Sequence, residues 1–533
     1  MRKLGELLPY VTYRSVSGDT SEKVGGVACH SGKVGAHAVF VCIRGSRSDG
    51  HDYILEAVEH GACVIVAEHG YVTWSRQGAL ILTERRKVNL SELVRDKGVC
   101  VVTADDTRKF LSEISAAFYD FPAKKLSVIG ITGTGGKTTT MFLTAAILRE
   151  AGHKVGMIGT GHYEDGEHAG ETENTTPPAC EIHRLLAQMA EHHCDCCVME
   201  VSSQGIAQER VASLFFDIGV FLNIEPDHIG KGEHANFAEY LYCKGRLMRQ
   251  CRIGIVNRDD AHVFQILSGH TCEVHFFSRN IPTERMAYGE SCRMEQGRLS
   301  ERFTVKRKDE TFVVQMQLPG AFNVSNALAA IAVSEAYQVS SGQIQHALAR
   351  ATVPGRCENL TPGKPFAVLV DYAHNAAGLS NLLSMLRQCH PGRLLVLFGC
   401  GGNRSGLRRF QMGETAARLA DYVILTTDNP RWEDPDMIIG QIEEGVRSVD
   451  RTKEGSTYRK VPDRREAIRD AVAMLKESDI LVIAGKGCER EQEIRGVRYP
   501  MDDRELVEEA LSERRRNIIS TTVDILNIEK QTR

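Results

Sequence analysis

The stretch Val128-Ile-Gly-Ile-Thr-Gly-Thr-Gly-Gly-Lys-Thr-Thr-Thr140 carries the residue types that hold phosphate. Glycines at 130, 133, 135 and 136 remove Cβ atoms, so backbone N–H groups can converge on phosphate oxygens, and Lys137 supplies a cation for the β- and γ-phosphates. The Thr138 hydroxyl is placed to ligate Mg²⁺. The spacing is Gly-x-x-Gly-x-x-Gly-Lys-Thr, a variant of the strict P-loop pattern in which Ile131 takes the first glycine position. A nucleoside-triphosphate site is expected.

Further candidates sit at the ends of apolar runs. Glu200, in Val198-Met-Glu-Val-Ser-Ser203, is a carboxylate able to complete Mg²⁺ coordination, and the run from Phe221 ends in Asp227 and His228. Lys244 lies on a helical stretch, where a solvated surface lysine is the default. Four later runs end in Asp371-Tyr-Ala-His374, Gly399-Cys-Gly-Gly-Asn-Arg404, Thr427-Asp-Asn-Pro-Arg431 and Ala484-Gly-Lys-Gly-Cys-Glu489. Arg404 and Arg431 suit bidentate capture of carboxylates, and Glu489 suits an ammonium. An amino acid with more than one charged group is a natural ligand for such loops.

The elements that must position these residues read as α/β throughout. Strands at 126–131, 154–158, 196–201, 217–223 and 252–256 alternate with helices, which predicts a P-loop-type, mostly parallel central sheet with ligands at its carboxyl ends. Residues 271–318 read as an antiparallel excursion before a helix from Asn323 to Glu335. A second, Rossmann-like α/β unit follows, with strands at 367–371, 394–398, 422–426 and 480–484. Residues 1–115 form a small N-terminal α/β domain, in which 72–98 looks like a polar insertion. Expected boundaries are therefore 1–115, 116–352 and 353–533.

A net charge of −4 gives no electrostatic reason for a nucleic-acid partner. The absence of any apolar run of about 18 residues, and of an apolar core at the start, makes a cytoplasmic protein without membrane attachment the expectation. Sixteen cysteines scattered through a long chain suggest reduced thiols. The cluster His192, His193, Cys194, Cys196 and Cys197 offers metal-ligand residue types, but its spacing favours buried strand thiols.

Together these motifs resemble the Mur ligase family of ATP-dependent amino-acid ligases. Gly133-Thr-Gly-Gly-Lys-Thr-Thr139 is similar to the family's ATP loop. Ser31 to Ile54, Thr175-Thr-Pro177, Glu200-Val-Ser-Ser203, Asp227-His228, Leu318-Pro-Gly320 with Asn323 and Asn326, Gly355-Arg356 and Asp371-Tyr-Ala-His374 follow in family order. The resemblance implies ATP contacts at Gly133, Thr134, Gly135, Gly136, Lys137, Thr138, Thr139, Asn323, Asn326, Arg356, Asp371 and His374. It implies that Lys244 is a carbamylated lysine which, with Thr138, Glu200 and His228, holds Mg²⁺; Lys137, Glu200, His228 and Lys244 are then the catalytic set. Ser31, Thr175, Thr176, Ser202, Ser203, Gln208 and Arg210 would hold a UDP-muramoyl-peptide. Asp428-Asn-Pro-Arg431 resembles the signature of the branch that adds meso-diaminopimelate to UDP-N-acetylmuramoyl-L-alanyl-D-glutamate, with Arg404, Asp428, Asn429, Pro430, Arg431, Gly485 and Glu489 around the amino acid.

The implied reaction runs through an acyl phosphate, and the family implies a monomer. Departures from the family pattern border the substrates: Gly135 stands where Asn or Lys is usual, Gln204 and Cys488 replace histidines, and His30 replaces an Asp. These leave open a diverged ligase that takes L-lysine or another amino acid, and a non-catalytic nucleotide-binding protein. Folylpolyglutamate- and cyanophycin-type synthetases fit less well, because the Ser31 to Ile54 stretch and Asp428 to Arg431 belong to muramoyl substrates.

Overall fold

The structure, a computed structural model, describes all residues except 46–47, 76–77, 84–86, 228, 231–232, 296, 309, 390–391, 450–452 and 517–533. The chain divides into two compact units, Met1–Glu284 with Ala329–Val339, and Arg285–Leu328 with Ser340–Arg533.

The first unit opens with a five-stranded sheet. Its strands are β1 (Ser15–Ser17), β2 (Gly26–Ala28), β3 (Ala38–Val41), β4 (Ala62–Glu68) and β5 (Cys100–Ala104), in the order β1-β5-β4-β3-β2. Helices α1 (Ile54–Glu59), α2 (Leu90–Lys97) and α3 (Thr107–Phe118) accompany it. The stretch expected to be a polar insertion folds as a three-stranded antiparallel sheet, Val72–Ser75, Gly78–Leu82 and Lys87–Asn89, leading into α2. Its few apolar residues, Ile81, Val88, Leu90 and Leu93, pack against Phe40 and Ile65. A charged composition thus conceals an apolar stripe that belongs to the core.

The second sheet has eight strands: β6 (Ser127–Thr132), β7 (Val155–Gly159), β8 (His162–Glu164), β9 (Ala169–Gly170), β10 (Cys196–Glu200), β11 (Phe216–Phe221), β12 (Cys251–Asn257) and β13 (Glu273–Phe277). Their order is β9-β8-β7-β10-β6-β11-β12-β13, parallel from β7 to β13 with the β8–β9 hairpin antiparallel at one edge. Strands buried on both faces must be apolar throughout, which is why β6 and β10 read as continuous hydrophobic runs. The chain enters at β6, passes to β7 and β10 on one side, then crosses to β11 on the other. That reversal opens a crevice at the carboxyl end of β6. Helices α4 (Lys137–Glu150), α5 (Ala179–Glu191), α6 (Ser203–Ala207) and α7 (Phe237–Gly245) connect the strands. Glu273–Phe277 corrects the expectation for 271–318: it pairs parallel with β12 as the sheet's edge, and the antiparallel excursion starts only at Arg285. An edge strand half open to solvent alternates in polarity, so its pattern mimics an antiparallel one.

In α5, His183 is 1% exposed, and neither ring nitrogen has a hydrogen-bond partner among the described residues. Burial lowers its pKa from 6.5 to about 4. The unfolded chain therefore takes the proton first, and the stability this neutral ring contributes above pH 6.5 is lost as pH falls towards 4. Denaturant titrations should show His183→Leu losing about 3 kcal/mol less than wild type between pH 7 and pH 4.

The second unit begins with three antiparallel strands, β14 (Arg285–Glu295), β15 (Arg298–Arg307) and β16 (Glu310–Met316). Helix α8 (Ala321–Glu335), of which the residues up to Leu328 belong to this unit, and helix α9 (Ser341–Arg350) follow. A six-stranded sheet then comprises β17 (Glu358–Asn359), β18 (Ala367–Asp371), β19 (Leu394–Phe398), β20 (Tyr422–Leu425), β21 (Tyr458–Lys460) and β22 (Ile480–Ala484), in the order β17-β18-β22-β19-β20-β21. From β18 to β21 it is parallel, so the four predicted loops do leave one edge. Interleaved are α10 (Ala376–Cys389), α11 (Gly406–Leu419), α12 (Pro435–Arg447) and α13 (Arg464–Met474), and a hairpin of β23 (Glu491–Ile494) and β24 (Val497–Pro500) follows the last loop. A helix over 503–516 closes the described chain. Cys292 of β14 and Cys389 of α10 form a disulfide with Cα atoms 5.0 Å apart, which corrects the expectation of reduced thiols at these two positions; the other fourteen cysteines are free.

Candidate active site

Gly136, at φ +86°, takes the left-handed conformation that turns the chain from β6 into α4. This aims the first turn of α4 at the crevice. Lys137 Nζ donates to the carbonyl oxygens of Gly133 (2.8 Å) and Thr134 (3.3 Å), and the buried Thr138 hydroxyl donates to Glu200 Oε1 at 2.9 Å. Thr139 is buried beside it. Asn223, at the end of β11, clasps the loop by accepting from Gly135 N at 2.9 Å and from Thr134 N through its carbonyl at 3.0 Å. A Cβ built on Gly135 meets nothing within 4 Å, so the Asn or Lys usual there would fit.

Glu200 is the junction of this half. Its carboxylate, 1% exposed, accepts from Thr138 Oγ1, from Thr160 N (2.9 Å) and from Thr160 Oγ1 (3.2 Å). Its carbonyl accepts from Thr176 Oγ1 at 2.9 Å. The Thr160 hydroxyl also lies 3.0 Å from Thr175 Oγ1. Thr160 was not anticipated, although its position after the apolar end of β7, in Gly159-Thr-Gly161, repeats the glycine-flanked threonine of the phosphate loop. Gly159 leaves the room: a Cβ there would lie 2.5 Å from Glu200 Oε1. Gly159→Ala should displace the carboxylate and lower the turnover rate by about 10²-fold, read by phosphate release, with the circular-dichroism spectrum unchanged.

Lys244, 1% exposed, donates to the same Gly133 carbonyl at 2.8 Å and lies 4.7 Å from the Tyr240 ring centroid. The solvated lysine that sequence alone favoured is thus buried. Burial first, then the neighbouring Lys137 ammonium, push its pKa well below the usual lysine range, which favours a neutral, nucleophilic amine. Tyr240 itself bonds Thr134 Oγ1 at 2.9 Å. Asp227 lies on the segment after β11, and His228 falls outside the described residues.

The expected acceptor contacts cluster around Glu200. Ser202 N donates to Thr176 Oγ1 at 2.9 Å, and Ser202 Oγ caps α6, where Ser203 is buried. Arg210 donates to the Thr176 carbonyl and to Gln208 Oε1 (2.7 Å), while Gln204 Oε1 accepts from Gln208 at 3.3 Å. Ser31 is buried after β2; the His30 ring performs the capping expected of an Asp, Nδ1 accepting from Gly32 N at 3.2 Å.

In the second unit, Asn323 and Asn326 are buried in the first turns of α8 and bond each other at 3.2 Å. The Arg356 guanidinium lies 4.3 Å from the Tyr372 ring centroid. Asp371 accepts from Cys357 N (2.7 Å) and Ala373 N (2.8 Å), and burial raises its pKa against the pull of Arg356. Desolvation by the surrounding groups lowers that of the solvent-exposed His374, whose ring bonds the Tyr372 carbonyl at 2.8 Å. Around the amino-acid loops, Glu489 Oε2 accepts from Asn429 Nδ2 (2.9 Å) and from the fully buried Lys486 (3.3 Å). Arg431 sits in the left-handed region (φ 54°), with Nε 3.3 Å from Glu493 Oε2 and Nη1 donating to the Gly402 carbonyl at 3.0 Å. Its backbone pairs with the β23–β24 hairpin on both sides, through Glu493 O and Arg495 N. Asp428 is buried; Gly485, at φ +109°, places a would-be Cβ 2.8 Å from Asp428 Oδ2. Pro430 packs its carbonyl on Gly402, and Arg404 is exposed on the loop after β19. Lys486, Glu493 and the buried Arg409, which grips Glu433 Oε2 at 2.8 Å, are supports that sequence spacing did not single out.

The Mur ligase family catalytic domain profile matches residues 23–119, the Mur ligase middle domain residues 131–334, and the Mur ligase glutamate ligase domain residues 355–487. A UDP-N-acetylmuramoyl-L-alanyl-D-glutamate–2,6-diaminopimelate ligase of Syntrophomonas wolfei subsp. wolfei is 35% identical over 520 residues, covering 96% of this chain and 99% of that protein. The chain belongs to the Mur ligase family. Mur ligases are ATP-dependent ligases, and the α/β fold with largely parallel sheets described above is theirs. A solved structure of a UDP-N-acetylmuramoyl-L-alanyl-D-glutamate–2,6-diaminopimelate ligase shares that fold at a TM-score of 0.63 and 24% identity, covering 96% of this Mur ligase and 99% of its own chain. A MurF ligase from Thermotoga maritima, in complex with ADP, does so at 0.58 and 18% identity, covering 92% and 97%. Among the described residues no helix is long and apolar enough to cross a membrane.

Proposed function

We propose that this Mur ligase joins meso-diaminopimelate to UDP-N-acetylmuramoyl-L-alanyl-D-glutamate, a step of peptidoglycan precursor synthesis. The Asp428-Asn-Pro-Arg431 loop carries the choice of amino acid. Arg431, the guanidinium presented there, pairs with the second carboxylate of diaminopimelate and repels the side-chain ammonium of lysine.

The acceptor's D-glutamate carboxylate attacks the γ-phosphorus of ATP, ADP leaves, and an acyl phosphate forms. Lys137 exchanges its loop carbonyls for phosphate oxygens and offsets the charge that develops. The amine of the incoming amino acid then attacks the acyl carbon, phosphate departs, and the amine proton passes to solvent or a nearby base. The Thr138 hydroxyl and Glu200 carboxylate are a buried all-oxygen pair that fits Mg²⁺, and a carbamate on Lys244 would add further oxygens. When bound, Mg²⁺ supplies neutralisation of the β- and γ-phosphate charge. Glu200 orients Thr138, and the Thr175–Thr176 segment, tied to Glu200, positions the acceptor. The same reading assigns 1–115 to the UDP-sugar, 116–352 to ATP and 353–533 to the amino acid, in a cytoplasmic monomer.

Purified protein given ATP, Mg²⁺ and UDP-muramoyl-L-alanyl-D-glutamate should release phosphate with meso-diaminopimelate and not with L-lysine or L-ornithine. Turnover with lysine alone would refute the assignment of Arg431; no turnover with any of the three would favour a different acceptor.

A further inference from the structure

We propose that Asp165, His168 and His192 form a site for one divalent transition ion of the zinc class, remote from the phosphate loop. Asp165 to His168 make the turn of the β8–β9 hairpin, and His192 lies on the connection from α5 to β10. One ligand atom from each lies within 4.8 Å of the other two. His192 Nδ1 is 3.1 Å, and His168 Nδ1 3.6 Å, from Asp165 Oδ1. These separations bracket the ~3.4 Å between donors on a tetrahedral ion with bonds of about 2.0–2.1 Å.

Three further features set this cluster apart from a chance meeting of surface side chains. The Asp165 side chain is 3% exposed and is fixed by the backbone N–H groups of Glu167 (3.0 Å) and His168 (2.8 Å). The turn is pressed onto the α5–β10 connection: Cys194 Sγ donates to the Asp165 carbonyl at 3.4 Å, and a Cβ on Gly166 would lie 2.5 Å from that sulfur. On the far side of the His192 ring, Nε2 is 3.7 Å from Glu167 Oε2. That carboxylate lies on the side from which one orients a metal-bound imidazole, at a separation longer than a hydrogen bond. Against this stands a plain His192–Asp165 hydrogen bond that staples the hairpin. That reading accounts for His192 but gives no role to His168, which is 71% exposed and still turns Nδ1 towards the same oxygen.

Two imidazoles and one carboxylate suit zinc, cobalt or nickel, whereas Mg²⁺ prefers oxygen donors, so the site does not duplicate the one at Glu200. His192 precedes the amino end of β10, while Glu200 closes its carboxyl end, so the length of the strand, about 13 Å, separates them. An ion there would touch no reacting atom. It would tie the hairpin to the sheet and steady the segment that continues from β9 to Thr175 and Thr176.

Full-length protein in excess Mg²⁺ and reductant would be titrated with Zn²⁺ against a chromogenic chelator. We expect one equivalent to bind, with affinity falling at least about tenfold in His168→Gln and in His192→Gln. Zinc should raise the melting temperature of wild type and not of either variant, while phosphate release at saturating substrate stays within about twofold of wild type. The exposure of His168 means that its variant folds. Equal zinc affinity in wild type and His168→Gln would overturn the site. With Co²⁺, weak d–d bands without a sulfur charge-transfer band are expected; such a band, lost in Cys194→Ser, would overturn the donor set.

Discussion

Lys244→Met should abolish turnover, by about 10³-fold or more in the rate of phosphate release, and at the same time raise the melting temperature. Both effects come from one placement. The side chain is 1% exposed and shares the Gly133 carbonyl with Lys137. Burial and the Lys137 charge hold its pKa well below the lysine range. The unfolded chain therefore binds the proton more readily, so the residue opposes folding near neutral pH, and this penalty fades as pH rises towards the unfolded value. Methionine fills similar volume without it. The neutral amine is also what carbon dioxide requires: its nitrogen adds to the carbon, a proton leaves, and a carbamate anion remains. Isotope-labelled bicarbonate should give a carbamate NMR signal in wild type and none in Lys244→Met. A methionine variant that keeps wild-type turnover would remove Lys244 from the chemistry.

Arg431→Ala should lower kcat/KM for meso-diaminopimelate by about 10- to 100-fold, mostly through KM, the range for losing a hydrogen-bonded charge partner. The KM values for ATP and for the acceptor should not change. Because Arg431 adopts φ 54°, Arg431→Gly removes the guanidinium while relieving the backbone, and it serves as the better-folded comparison. If both variants keep wild-type kcat/KM, the second carboxylate is bound elsewhere, with Arg404 the next residue to test.

The phosphate loop and the loop signatures were legible because their meaning is local. Glycine, lysine and threonine at fixed offsets after an apolar run permit few structures. Glu200 was legible as a strand end, but its partner Thr160 lies 40 residues earlier and meets it only because β7 and β10 pair. Lys244 was a surface lysine by pattern, and only the resemblance raised it; the packing of α7 supplies the physical reason. The β23–β24 hairpin that holds Arg431 was missed because Glu491 to Pro500 is charged and short, without the alternation that marks a strand with one buried face. His192 was considered together with its cysteine neighbours in sequence, whereas Asp165 and His168 reach it from a hairpin 24 to 27 residues away.

Thr160 also links Glu200 to the Thr175–Thr176 segment. Its single hydroxyl proton lies between Glu200 Oε2 at 3.2 Å and Thr175 Oγ1 at 3.0 Å, and it can point to only one of them. A cation that draws both oxygens of Glu200 would turn that proton towards Thr175. A ligand that takes up Thr175 would send it back. The two sites would thereby be coupled through one rotor: the affinity of each for its ligand would depend on the other's occupancy, by the same factor in both directions.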